Sequence, residues 1–155
     1  MQFHILGLSR KQFAPLFGLS DEVLAAQGVV RQLADTCPGF PCRVSLQDAR
    51  IGESVLLLNY EHLPVESPYR SRHAIFVREH AADARLSKNE VPESLRNRLL
   101  SVRAFDGNGM MIDADVVDGS DVERVISRFL EHPNANYLHL HNAKPGCFAA
   151  RVDRA

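Results

Sequence analysis

No run in this 155-residue chain is long and apolar enough to cross a bilayer as a helix. Residues 1–7 (MQFHILG) have neither the basic start nor the long apolar segment of an export signal, so a cytoplasmic protein is expected. Cysteine is scarce and odd in number: Cys37, Cys42 and Cys147. Thiols in a chain of this kind are expected to stay reduced. An excess of one charge is also missing. The formal net charge is −1, which gives no overall field to draw in nucleic acid or an anionic membrane, and neither is expected as a partner. Lysine is nearly absent: of 18 basic side chains, only Lys11, Lys88 and Lys144 are lysines. An arginine bias of that kind has a bland source in codon usage. It also supplies bidentate forks suited to small anions.

Familiar catalytic signatures are missing too. The chain has no glycine fingerprint for dinucleotides, no phosphate-cradling loop ending in Lys and Ser or Thr, and no two-histidine metalloprotease helix. Residues 113–119 (DADVVDG) imitate a calcium loop. Their third acid comes one residue late, and Arg124 stands where the bidentate Glu belongs. No repeat, linker or low-complexity tract interrupts the chain. An apolar fraction of 45% suits one globular domain spanning residues 1–155, with a core of ordinary size.

The segments that are present alternate in type. Residues 2–6 read as a strand, Ser9 to Phe17 as a brief helix, Asp21 to Gln27 as a second helix, and 28–34 as a strand. Residues 55–58 and 74–77 are short apolar runs, read as central strands. Between them, Glu61 to His73 reads as a long loop of the kind that often binds ligands. Pro92 starts a short helix. A hairpin closes through Gly107-Asn108-Gly109, with Ala104 expected opposite Ile112 and Arg103 opposite Asp113. Ser120 and Glu123 form a capping box for the clearest helix, whose stripe is Val122, Val125, Ile126, Phe129 and Leu130. Strands at 137–141 and 147–152 end the chain. The mixed order gives α+β, mostly antiparallel sheet with a few short helices.

Candidate chemistry concentrates near the C-terminus. Leu138 and Leu140 share one face of a strand, while His139 and His141 share the other, expected to be a polar outer face. Two same-face imidazoles can be metal ligands but need a third partner, for which Cys147, Asp113 and Asp115 are candidates. A return through Pro145 and Gly146 is expected to set Cys147 opposite His141, close enough for a nucleophilic dyad. Tyr69, Arg70, Arg72 and His73, with Arg43, are candidate anion ligands at the end of the long loop.

Three segments also carry a resemblance: residues 38–43 (PGFPCR), the block from Leu56 to Arg78 with its Pro-Tyr-Arg, and residues 139–147 (HLHNAKPGC). Together they resemble a bacterial family catalogued as domain of unknown function 1203. The resemblance implies a small, self-contained bacterial protein, and it brings no activity, cofactor or residue role. The leading expectation is binding of a small anionic molecule. The alternatives are an enzyme using Cys147 with His141 or a metal on His139 and His141, and a protein-interaction module.

Overall fold

In the computed structural model, which describes residues 1–155, eight strands form two sheets. The larger sheet contains β1 (Phe3–Leu6), β5 (Leu99–Phe105), β6 (Met111–Asp118), β7 (Tyr137–Asn142) and β8 (Phe148–Arg154), in the order β1-β8-β7-β5-β6. The smaller contains β2 (Val30–Leu33), β3 (Ser54–Leu63) and β4 (Ser71–Arg78). Every pairing between these strands is antiparallel. Short helices α1 (Asp21–Ala26), α2 (Glu93–Arg96) and α3 (Val122–Leu130) complete an α+β fold.

Helix α3 forms because its apolar residues recur every three or four positions. All five stripe residues are buried, and they pack on Leu100, Val102, Leu138 and Leu140 in the main core. Each such side chain removed from water contributes about 1.5–3 kcal/mol. A second core, around Leu56, Leu58, Ile75 and Val77, lies under the smaller sheet. Strands β6 and β7 flank β5 and so run parallel to each other, with α3 as their connection.

The structure differs from the sequence reading at several joints. The segment from Ser9 to Phe17 is two 3-10 turns rather than a helix. The capping box does not form. Asp118 caps a 3-10 turn by accepting from the Ser120 N–H, and Glu123 pairs with Arg96. The three-residue hairpin loop is as expected, with Gly109 at φ +77° and Phe105 opposite Met111. A bulge then places Ala104 opposite Asp113 and Arg103 opposite Ala114. The expected register assumed that Ala114 faces the core. Ala114 is exposed on the outer strand, and the buried face of β6 instead uses Val117. The long loop is also shorter than expected, because β3 continues to Leu63 and β4 begins at Ser71.

Candidate functional site

Strand β7 places its leucines toward α3 and Tyr137, His139 and His141 toward the other face. That face is not a solvated outer surface, because all six β7 residues are buried. The register with β5 sets Ser101 beside His141 and Arg103 beside His139. The register with β8 sets Phe148 beside His141 and Arg151 beside His139. From the smaller sheet, β3 contributes His62 and β4 contributes His73. Four of the chain's seven histidines therefore meet where the two sheets touch.

The rings are tightly arranged. His62 lies between His73, stacked at 4.8 Å between ring centres, and Phe148, stacked at 5.0 Å. His141 stands nearly perpendicular to both His62 and His73, at 81° and 83°. The Nδ1 atoms of His62 and His139 are 3.3 Å apart. His141 places Nδ1 3.0 Å from the carbonyl oxygen of Gly146. An acceptor there makes Nδ1 the protonated nitrogen and leaves the lone pair on Nε2. That Nε2, the Nε2 of His62 and the Nδ1 of His73 are buried without a hydrogen-bond partner.

No carboxylate enters this cluster. Burial is the largest influence on the imidazoles, and it disfavours their charged form. Neighbouring imidazoles and guanidiniums push the same way: His73 ahead of Arg103 at His62, His62 and His141 ahead of Arg151 and Arg103 at His139, and Arg103 first at His73. At His141 the Gly146 carbonyl opposes them. His62 is lowered to about 4, His141 to about 3 and His139 to about 2, while His73 is lowered as well. All four rings are neutral near pH 7. The Arg103 Nε donates to Ser101 Oγ at 3.2 Å, and its guanidinium has no ion-pair partner.

Arg43 is the second cation of the site. Its backbone runs beside β4, with the Arg43 N–H donating to the Phe76 carbonyl at 3.0 Å. The side chain is 2% exposed. Nε donates to the Phe148 carbonyl at 2.7 Å, Nη1 to the Pro41 carbonyl at 2.5 Å and Nη2 to Cys147 Sγ at 2.9 Å. Burial lowers its pKa. Arg43 and Cys147 line a pocket of about 470 Å³, together with His73, Asn142, Arg98 and Lys144. Arg98 is held by Asp48 through two hydrogen bonds, and no Asp or Glu lines the pocket. His73 belongs to both the pocket and the histidine cluster.

The sequence-based candidates are divided by this geometry. Cys147 stands opposite Asn142, whose N–H donates to the Cys147 carbonyl, because the turn has four residues, 143–146, and Phe148 therefore falls opposite His141. Its thiol accepts from Arg43 and, at 3.6 Å, from Asn142. No Cys147–His141 hydrogen bond forms. Arg70 pairs with Glu61 and Glu66, and Arg72 with Asn59 and Glu61, so neither joins Arg43. Tyr69 presents its ring edge-on to Phe105, 6.3 Å away. Asp115 pairs with Arg128, and Asp113 is exposed, so neither approaches the histidines. His62 and Arg103 were missed as site residues. The alternation Leu56, Leu58, Tyr60, His62 was the available signal for His62, obscured by Glu61 and Pro64.

These features define a small α+β protein with a buried, acid-free cluster of imidazoles and guanidiniums between two sheets. The chain belongs to a family described as proteins of unknown function (DUF1203), which it matches over residues 39–154. That span includes every residue of the cluster and the pocket. No curated protein and no solved structure matches the chain.

Proposed function

We propose that this is a bacterial cytoplasmic protein that binds a small anionic molecule in the pocket floored by Arg43. The carrying observation is a guanidinium that is 2% exposed and has no carboxylate partner, in a pocket without an acidic side chain. A buried cation lacking a counter-charge is costly, and a bound anion relieves that cost. Lys144 lines the same pocket and adds a second positive charge that no ion pair holds. Asn142 Oδ1, buried without a partner, can accept only from an N–H or O–H group elsewhere on the ligand and does not itself hold the anion. Apolar walls from Leu57, Phe76 and Leu99 suit a ligand with a compact organic body. Three free thiols and the absence of a helix long and apolar enough to cross a membrane fit this reading.

An enzymatic version uses the same pocket. The Cys147 thiol contacts Arg43 rather than His141, so a substrate anion on Arg43 sits beside a potential nucleophile. Titration with small carboxylates and inorganic phosphate, followed by calorimetry, tests the binding reading. Binding is expected in the wild-type chain and reduced at least tenfold in Lys144→Glu. The same anions should slow alkylation of Cys147 by iodoacetamide. Heat changes and alkylation rates indifferent to every anion tried would sink the proposal.

A further inference from the structure

We infer that His62, His139 and His141 bind one divalent cation of the zinc class, leaving a fourth coordination position for water or an anion. This site is separate from the Arg43 pocket and does not depend on the anion reading. One ring nitrogen from each of the three histidines lies within 4.8 Å of the other two. Two nitrogens bound tetrahedrally at about 2.0–2.1 Å from one ion stand roughly 3.3 Å apart. His62 and His139 already present their Nδ1 atoms at 3.3 Å. Without an ion, that contact is a hydrogen bond in which one ring donates, and ligation moves that ring's proton from Nδ1 to its Nε2. The widest separation needs to close by about 1.5 Å, a side-chain adjustment rather than a change of fold.

The surroundings suit ligation in three ways. First, the rings are neutral near pH 7, because burial opposes their protonation, so lone pairs are available without releasing a proton. Second, outer partners fix the rings. The Gly146 carbonyl sets the tautomer of His141, as carbonyls do for metal-bound histidines, and the stack of His73 and Phe148 clamps His62. Third, the donor set is all imidazole. Nitrogen donors suit zinc and its transition-metal neighbours and exclude magnesium and calcium, which take oxygen. Three imidazoles with one open position is a donor set of catalytic rather than structural zinc. Arg103, beside His139 on the neighbouring strand, adds positive charge that favours an anion such as hydroxide over water at the fourth position. His73 lines the pocket and stacks on His62, so it is the imidazole shared by the pocket and the cluster.

The test uses the full chain, purified without chelator and dialysed against Zn²⁺ or Co²⁺. One equivalent is expected to bind, and Co²⁺ should show the visible absorption of a four-coordinate nitrogen site without a thiolate charge-transfer band. On adding Zn²⁺, ring ¹H–¹⁵N signals of His62, His139 and His141 should shift together while those of His4, His80 and His132 stay fixed. His62→Gln and His139→Gln should each weaken binding at least tenfold, whereas Lys144→Glu and Cys147→Ser should bind metal as the wild type does. Those last two variants separate this inference from the anion proposal. Absence of stoichiometric uptake by the folded wild-type chain would overturn it, as would ring signals that ignore Zn²⁺. The wild-type measurements decide the matter even where a glutamine variant fails to fold.

Discussion

At the scale of single residues, the interior between the sheets is neutral only while its imidazoles stay unprotonated. An unfolded histidine titrates near its ordinary value of about 6.5. In the folded chain His62 is lowered to about 4, His141 to about 3 and His139 to about 2, chiefly by burial. The unfolded state therefore binds more protons between those values and 6.5, and acid favours unfolding. The stabilisation is complete above about pH 6.5 and is lost as pH falls through the folded values. Each ring adds a slope of up to about 1.4 kcal/mol per pH unit in that window. The lowered carboxylates act elsewhere. Glu79, held down to about 2 by Arg31, loses its contribution only below its ordinary value of 4.5. Urea unfolding of the metal-free protein at pH 7.5, 6.5, 5.5 and 4.8 isolates the histidines. A steady loss of stability below pH 6.5 is expected. A flat profile down to pH 4.8 would show that the cluster opens to water without cost.

At the scale of elements, the tightest junction is where α2 meets the turn before α3. A Cβ built on Gly119 would lie 2.0 Å from the Leu95 carbonyl oxygen and 2.7 Å from that of Arg96. The Gly119 N–H also donates to the Arg98 carbonyl at 2.8 Å. Backbone cannot yield as a flexible side chain can. Gly119→Ala should therefore destabilise the protein by about 2–4 kcal/mol. Gly107→Ala, with open space around it, should stay within about 0.5 kcal/mol, and equal effects in urea unfolding would refute the argument. This junction also shows what the sequence could reveal. Helix α3 was legible because five apolar residues follow one helical period. Its cap was not, because Ser120 and Glu123 have the right spacing but Asp118 and Arg96 compete for them. The two hairpin errors have different sources: a bulge in β5–β6, and a β7–β8 turn of four residues, 143–146, where five were expected. Each shifts the register by one, and nothing local in the sequence requires either. The histidine alternation on β7 was plain. What covers it was not, since His62 is 77 residues from His139 and only tertiary structure joins them.

At the scale of the molecule, two cores under two sheets are joined through a polar seam. The main core is gathered around α3 and the second lies under β3 and β4. Between them stand four neutral imidazoles and two guanidiniums, with Phe148 and Tyr137 as the apolar share. A seam of this kind holds the halves together while it is uncharged. When protonated, its rings would face Arg103 and each other in a space with no carboxylate. Strand β7 is protected on both faces and bonded on both edges, so its amides should open only with the whole molecule. The smaller sheet depends more on the seam, because β4 contacts the larger sheet mainly at β8. Hydrogen exchange at pH 7.5 should show comparable protection in β3, β4 and β7, consistent with one cooperative unit. Near pH 5, after correction for intrinsic rates, β3 and β4 should lose protection before β7 does. In His62→Phe, which keeps the stack on Phe148 and His73 but cannot take a proton, that difference should shrink. Uniform loss across all three strands at pH 5, unchanged by His62→Phe, would mean that the seam does not divide the fold.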